Sequence, residues 1–129
     1  MPWLGPVRRW DLFWADLDPA VGHEQRGAAR PVVVISNDGF NAHFRMVTVV
    51  PATTLESKRR PVYAFEVALP KGSITPDHCS ILMPQQVRSI STLLLLEKIG
   101  VLDDPHHQRD LELRLLENLG IAFEAEELG

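Results

Sequence analysis

A loop rich in chemically active side chains stands out in the N-terminal quarter of the 129-residue chain. Between Gly22 and Pro31 it gathers one histidine, one glutamate, one glutamine and two arginines, namely His23, Glu24, Gln25, Arg26 and Arg30. A histidine can carry a proton near neutral pH, and arginines bind anions without losing their charge. Loops held by a rigid element often carry binding and catalytic residues. From composition alone, an ordinary surface loop is an equally good interpretation.

The charge of the chain is unevenly distributed. The formal net charge is −4, but residues 1–100 hold 11 basic and 9 acidic residues, whereas residues 101–129 hold 2 and 8. Basic residues cluster at Arg8 and Arg9, at Arg26 and Arg30, and at 58–60. Solvated surface explains such clusters, and a basic groove for a polyanion is the alternative that requires other support.

Length and composition predict one globular domain that spans residues 1–129. The single cysteine, Cys79, excludes an internal disulfide framework and a multi-cysteine zinc site. The longest apolar runs, 32–35 and 93–96, are too short to span a membrane. Arg8 and Arg9 are not followed by the apolar stretch of a signal peptide. We therefore expect a cytoplasmic protein without a membrane segment.

Short apolar segments separated by glycine and proline predict a series of strands. The run PVVVIS at 31–36 has no polar interruption, as in a strand buried on both faces. Pro51 is expected to end the strand before it, and Asn37, Asp38 and Gly39 are expected to form a turn. The predicted strands are 11–17, 31–36, 45–50 and 63–69, followed by a bent or edge pair, 79–83 and 86–90, around Pro84.

Only the C-terminal part of the chain has a helical pattern. Asp104 is a suitable N-cap, Pro105 takes the first helical position, and Gly120 ends the segment. Between them, four leucines form an apolar stripe: Leu111, Leu115, Leu116 and Leu119. Residues 103–107 contain aspartates and histidines, but capping explains the aspartates, so we expect no metal there. Several strands followed by one helix predict a mainly β fold, either a small open barrel or a half-closed sheet.

Three segments, taken together, resemble the MazF/PemK family of toxin endoribonucleases. They are DLFWADLDPAVGHEQRGAARPVVVISNDGFN at 11–41, VVPATT at 49–54 and QQVRSI at 85–90. Within the first, the block at 16–41 is highly specific, whereas each of the other two segments alone would be a weak match. The resemblance covers residues 8–120 in the family's own order. The resemblance implies a small SH3-like barrel of the PemK/CcdB type that forms a homodimer. It also implies sequence-specific, metal-independent cleavage of single-stranded RNA without a cofactor, neutralised by a cognate antitoxin with an acidic, disordered tail.

The resemblance also implies which residues act. The family's arginine before the Pro-Val strand matches Arg30, the threonine after the VVP segment matches Thr53, and the histidine of the Gly-His-Glu-Gln variant matches His23. Three positions depart from the pattern, since many relatives have glycine at the position of Trp10, some have an acid at Gln85, and most have aspartate at Ser91.

Metal-free RNA cleavage uses the 2′-hydroxyl of the ribose as nucleophile and yields a 2′,3′-cyclic phosphate and a 5′-hydroxyl. It requires removal of one proton, stabilisation of the charged phosphate, and protonation of the leaving oxygen. Arg30 suits the phosphate because its planar fork stays charged, and the Thr53 hydroxyl can donate a hydrogen bond to it. His23 is the better proton carrier. Thr53 as a simple turn cap remains open, as does the choice for Glu24 between orienting His23 or Arg30 and contacting a base.

Single-stranded RNA also needs contacts along its length. The expected RNA-binding residues are Glu24, Gln25, Arg26, Gln86 and Arg88, and the stacking candidates are Phe13 or Trp14, Phe40 and Phe44. Two other functions remain open. A toxin of the same fold that poisons DNA gyrase by protein–protein contact would not need Arg30 or Thr53, and an inactive relative would act as a binding module.

Overall fold

The computed structural model describes residues 2–17, 29–55 and 61–123. This part of the chain contains seven strands: β1 (Asp11–Ala15), β2 (Arg30–Val34), β3 (Met46–Thr54), β4 (Val67–Leu69), β5 (Ser80–Leu82), β6 (Arg88–Ser91) and β7 (Leu95–Val101). Helix α1 (Asp38–His43) precedes β3, and helix α2 (Pro105–Leu119) follows β7. Short 3₁₀ helices at Pro84–Gln86 and Thr92–Leu94 flank β6.

All strands form one antiparallel sheet in which β3 is the centre. The order is β4-β5-β3-β2-β1-β7, and β6 pairs with β3 beside β5. β3 therefore has β2 along one edge, and along the other edge it has first β6 and then β5. The mainly β fold with a C-terminal helix is confirmed, and the arrangement is consistent with the small barrel expected from the resemblance.

The strand that contains Pro51 is longer than the sequence predicts. We expected it to end at residue 50, but β3 continues through Pro51 to Thr54. β6 pairs with residues up to Val49, and β5 pairs from Ala52 onward, so Pro51 lies between the two partners. Because no ladder hydrogen bond requires a donor at this point, the missing N–H of proline is tolerated inside a central strand.

The two faces of the sheet enclose two apolar clusters. One contains Phe13, Val32, Val34, Val49 and other strand residues, with Trp3 and Val7 packed against it. The other contains residues of β2, β3, β4 and β5 together with Leu111 and Leu115 of α2. Val32, Val33 and Val34 are fully buried, which confirms the expectation of a strand covered on both faces.

The C-terminal helix α2 was predicted from the sequence, whereas helix α1 was not. Asp104 caps α2 through its side chain, Pro105 occupies the first turn, and Gly120 ends it with a left-handed φ of 70°. The predicted turn at 37–39 is instead the start of α1, which is capped by the Asn37 side chain. Turn residues and helix caps share the same side-chain chemistry, so the two interpretations differ only in whether the chain continues as a helix after residue 39.

Other strand predictions need correction. The segment 63–69 is a strand only from Val67, because the backbone turns at Tyr63 and Glu66, where the Glu66 N–H donates to the Tyr63 carbonyl at 2.9 Å. β7 was not predicted, because four leucines followed by Glu97 and Lys98 show no clear alternation. The segments around Pro84 are strands β5 and β6, which both pair with β3 instead of with each other. Among the described residues, no helix is long and apolar enough to cross a membrane.

Trp10, one of the three positions at which the sequence departs from the family pattern, has an unusual backbone conformation. Its φ is 76°, and it is the one non-glycine residue with a positive φ in the described part of the chain. Its N–H donates to the Val34 carbonyl at 2.7 Å, and its carbonyl accepts from Leu102 at 2.8 Å. A glycine would adopt this conformation without steric cost, whereas the Cβ atom of tryptophan makes it a strained one.

Candidate active site

A cleft of about 310 Å³ lies where β2 begins and β3 ends. Two of the predicted catalytic residues, Arg30 and Thr53, both line it. The full lining is Trp14, Ala29, Arg30, Pro31, Ala52, Thr53, Thr54, Thr75 and Ser80. Residues that are 23 positions apart in the sequence therefore meet in one concave site.

The register between β2 and β3 explains why Arg30 and Thr53 meet. Val32 pairs with Pro51, and Val33 pairs with Val50. Continued by two residues, this register sets Arg30 opposite Thr53, and opposed residues of antiparallel strands project to the same face with Cβ atoms about 5 Å apart. The buried valine run of β2 thus fixes the position of Arg30 at the start of the strand.

The cleft is suited to an anion. Arg30 is exposed, and its guanidinium has no hydrogen-bond or ion-pair partner among the described residues. None of the described lining residues is acidic, and four carry hydroxyls: Thr53, Thr54, Thr75 and Ser80. Thr53 is 8% exposed, so its hydroxyl lies at the buried end of the site. A planar cation beside several hydroxyl donors is an arrangement that binds phosphate oxygens.

Trp14 forms an aromatic wall of the same cleft. It lies in an irregular part of the β1–β7 ladder, where the register shifts on both sides of Phe13. Such bulges redirect side chains and occur frequently beside active sites. Phe13 is fully buried, whereas Trp14 is half-buried in the cleft, so of these two stacking candidates only Trp14 is available to a ligand.

The two RNA-binding candidates at the other side of β3 lie outside the cleft. Gln86 is exposed at the end of a 3₁₀ helix, and Arg88 is exposed on β6, where its Nη1 donates to the Leu17 carbonyl at 3.5 Å. Arg88 pairs with Val49, four residues before Thr53, so it lies roughly 13 Å along β3 from the cleft. The remaining candidates, His23, Glu24, Gln25 and Arg26, lie outside the described residues.

Some relatives have an acidic residue at the position of Gln85. In this chain the Gln85 side chain instead contacts a carboxylate, that of Glu66. Its Nε2 donates to Oε2 of Glu66 at 2.7 Å, and Glu66 is buried. The other oxygen of Glu66 accepts from the Tyr63 backbone N–H at 3.1 Å. A glutamine side chain at 85 can therefore be held in place by Glu66, whereas an acid there would face a second carboxylate.

Sequence reasoning did not identify Thr54, Thr75 and Ser80 as part of the site. Thr75 and Ser80 come from the loop between β4 and β5 and from β5 itself. No motif or periodicity marks them, and only the pairing of Thr54 with Ser80 brings that loop to the cleft. Among the described residues, no group of three or more His, Cys, Asp or Glu side chains could hold a metal ion. Asp104 caps α2 through a 2.8 Å bond from the His106 N–H.

Comparisons with known proteins agree with this fold. Residues 8–117 match the model of the PemK-like, MazF-like toxin of type II toxin–antitoxin systems. The chain is 37% identical over 100 residues to Endoribonuclease EndoA of Bacillus subtilis, across 76% of this chain and 82% of that protein.

Solved structures show the same fold. The crystal structure of MazF from Deinococcus radiodurans superposes with a TM-score of 0.69 at 24% identity, and the match covers 91% of this chain and 99% of that one. An endoribonuclease in complex with its cognate antitoxin, from a mycobacterial species, gives a TM-score of 0.70 at 18% identity, with 94% and 100% covered. The chain thus shares the small, mainly β fold of MazF. The chain belongs to the PemK-like, MazF-like toxin family of type II toxin–antitoxin systems.

Proposed function

We propose that the chain is a sequence-specific endoribonuclease that cuts single-stranded RNA by attack of the 2′-hydroxyl, without a metal ion. The observation that carries this proposal is the convergence of the exposed Arg30 guanidinium and the Thr53 hydroxyl in one cleft. Membership of the toxin family, which includes a named endoribonuclease 37% identical to this chain, supports the same activity.

In the proposed mechanism, Arg30 pairs with two oxygens of the scissile phosphate. It stabilises the negative charge that increases as the 2′-oxygen attacks. Thr53 donates its hydroxyl to the same phosphate from the buried end of the cleft. The arginine cannot exchange protons near neutral pH, so a different group must do so, and His23 is our choice because its ordinary pKa is near 6.5.

The RNA strand extends from the cleft along the sheet in this proposal. A base stacks on Trp14, which adds binding energy without selecting a particular base. Arg88, about 13 Å away along β3, contacts a neighbouring phosphate, and Gln86 contacts the strand beyond it. Glu24, Gln25 and Arg26 contribute to recognition of the cut sequence.

Incubation of the purified, antitoxin-free protein with a long single-stranded RNA in EDTA tests the activity. We expect discrete fragments with 5′-hydroxyl ends and 2′,3′-cyclic phosphates, and their mapped ends would give the recognition sequence. Intact RNA together with stabilised gyrase–DNA breaks would instead identify the gyrase poison, and intact RNA without such breaks would identify a binding module.

Two partners complete the proposal. We infer a homodimer, which requires a solution mass near twice the 14.5 kDa of one chain at micromolar concentration. We also infer a cognate antitoxin with an acidic, disordered tail, since a carboxylate-rich segment would compete with RNA phosphates for Arg30. The test is to measure RNA cleavage in the presence of an acidic antitoxin peptide. We expect this peptide to suppress cleavage in proportion to the fraction of toxin it has bound, and a neutral peptide of the same length to have no effect.

A further inference from the structure

Two aromatic residues just before β4 are exposed side by side. Tyr63 is 44% and Phe65 is 43% exposed, and their rings stack with centroids 5.1 Å apart and an interplanar angle of 24°. A single exposed apolar side chain is ordinary, but two adjacent rings form an apolar patch that the fold does not bury. The Tyr63–Phe65 pair therefore has aromatic surface available to a ligand.

A hydrogen-bonded turn fixes this pair. The Glu66 N–H donates to the Tyr63 carbonyl at 2.9 Å, and the Tyr63 N–H donates to Oε1 of Glu66 at 3.1 Å. Glu66 itself is buried, and its Oε2 accepts from Nε2 of Gln85 at 2.7 Å. Because the backbone between the two rings is already ordered, a ligand that contacts the rings loses little affinity in ordering them.

The pair lies near the cleft. Ala68 of β4 and Thr53 of β3 both pair with Ile81 of β5, so one strand separates β4 from the strand that carries Thr53. Phe65 comes three residues before Ala68. Two strand spacings and three residues therefore place the Phe65 backbone within about 15 Å of the Thr53 backbone. A bound single strand several nucleotides long spans such a distance.

The surroundings of the pair favour RNA as the ligand. Gln85, which the Glu66 carboxylate contacts, is followed by the exposed Gln86, where the proposed function places the RNA strand. In the sequence, three consecutive basic residues at 58–60 come directly before Pro61, and positive charge attracts the phosphate backbone. Every base has a flat aromatic face, so the base is the part of RNA that a pair of stacked rings binds.

We propose that the Tyr63–Phe65 pair is a base-stacking subsite, on which one base of the RNA outside the cleavage site extends the aromatic stack. This inference rests on the proposed function and adds a contact that lies outside the cleft and outside the motifs of the sequence. Because the contact is made equally to bound substrate and to the transition state, its loss raises KM and leaves kcat nearly unchanged.

The decisive variant is Phe65→Leu, which keeps an apolar side chain and removes the flat ring. We expect its KM for RNA to rise at least about fivefold, as the loss of a base stack predicts, while kcat stays within about twofold. Its melting temperature should stay within about 2 °C of the wild type, because the ring is exposed. Phe65→Tyr keeps a ring and should keep the wild-type KM.

The matched control is Leu93→Ala, which shortens another exposed apolar side chain near the opposite end of β3, where Ser91 pairs with Met46. This variant should keep the wild-type KM. A Phe65→Leu protein with an unchanged KM would overturn the inference, and a lower melting temperature in that protein would make the ring merely structural.

Tyr63 supplies a direct signal because it is the single tyrosine of the chain. Its ring protons give one set of NMR resonances, which should move upfield when a base joins the stack. The probe is a short 2′-O-methylated oligoadenylate, which lacks the nucleophilic hydroxyl and cannot be cut. An abasic oligomer of the same length should leave the resonances in place. The oligoadenylate should bind Phe65→Leu at least about fivefold more weakly than the wild type.

The outcomes separate this inference from the proposed function. If the wild type cuts RNA while the probe leaves Tyr63 unchanged and binds Phe65→Leu normally, the subsite fails alone. If the probe shifts Tyr63 but long RNA stays intact, the nuclease fails and the subsite stands. If Phe65→Leu binds and cuts RNA normally and only escapes inhibition by the acidic antitoxin peptide, the pair contacts the antitoxin and the RNA subsite is wrong. If the wild type neither binds the probe nor cuts RNA, both proposals fail.

Discussion

The paired strands β2 and β3 have a cavity at each end, and the two cavities differ in almost every respect. The end near α1 has a groove of about 960 Å³, formed by the N-terminal segment 3–8, α1 and the turn at Leu93. The other end has the cleft of about 310 Å³ that contains Arg30 and Thr53. The larger cavity has exposed apolar residues, with Phe44 58% and Leu93 68% exposed, beside the charged residues Arg8, Asp38 and Arg45.

The difference shows that the types of side chain that line a cavity indicate the chemical site better than volume does. At the groove end, the acidic Asp38 and two arginines, Arg8 and Arg45, lie among the lining residues, and Asp38 accepts from the Arg9 N–H at 2.8 Å. At the cleft end, no described lining residue is acidic, and the Arg30 guanidinium lies among four hydroxyl-bearing residues. We therefore expect substitutions at the cleft to change rate without stability, and substitutions at the groove end to do the reverse.

The largest expected effect is that of Arg30→Ala. Loss of a charged group that stabilises the transition state should lower kcat by at least about 100-fold. The melting temperature should stay within about 2 °C, because the side chain is exposed. Arg45→Ala is the matched control at the groove end and should cut RNA within about twofold of the wild-type rate. Normal cleavage by Arg30→Ala would remove the cleft from the mechanism.

The second largest effect is expected for His23→Ala. If His23 transfers a proton, this substitution should lower the cleavage rate by about 10²- to 10⁴-fold. The pH–rate profile of the wild type should show a titrating group that the variant lacks. A variant rate within a few-fold of the wild type would mean that another group carries the proton. Arg30 and Thr53 would then keep their role in binding the phosphate.

Thr53→Val should have a smaller effect, a fall of about 10- to 100-fold in kcat, because one hydroxyl donor is lost while Arg30 remains. The size of the fall distinguishes a phosphate contact from a turn cap. A turn cap would lower the unfolding free energy by about 1 kcal/mol and leave kcat unchanged, so parallel denaturant unfolding and single-turnover cleavage give a clear answer.

The parts of the fold that local chemistry determines could be predicted from the sequence. Helix α2 has its cap, its first-turn proline and its final glycine at the expected residues, because each acts on its immediate neighbours. The buried strand 31–34 was recognisable from its unbroken valines. β3 was predicted too short, because the tolerance of Pro51 depends on a change of partner strand, which no local pattern records.

The candidate site divides in the same way. Arg30 and Thr53 were found through the resemblance, and the structure brings them into one cleft by strand register. Thr54, Thr75 and Ser80 were missed because threonine and serine are common in loops and strand ends, where their presence is not diagnostic. Gln85 looked like a loss of an acid, and only the fold shows the buried Glu66 within 2.7 Å of it.

The smallest expected effect tests the groove end itself, at Trp10. Its ring packs against the apolar cluster under α2, and the Arg9 guanidinium lies 4.6 Å from the ring centroid while Nη2 of Arg9 contacts Glu112 at 3.1 Å. Trp10→Ala loses this packing and keeps the positive φ, whereas Trp10→Gly loses the packing and relieves the strain.

We therefore expect Trp10→Ala to lower the unfolding free energy by about 2 kcal/mol, and Trp10→Gly to recover about 1 kcal/mol of that loss. Urea denaturation measures both values. Cleavage by both variants should stay within about twofold of the wild type, since Trp10 lies at the far end of the strands from Arg30. Equal stability of the two variants would show that the backbone at residue 10 is not strained. A loss of cleavage in either would show that the two ends are coupled, because removal of a ring beside α2 would then have moved the phosphate contacts at the opposite end of β2.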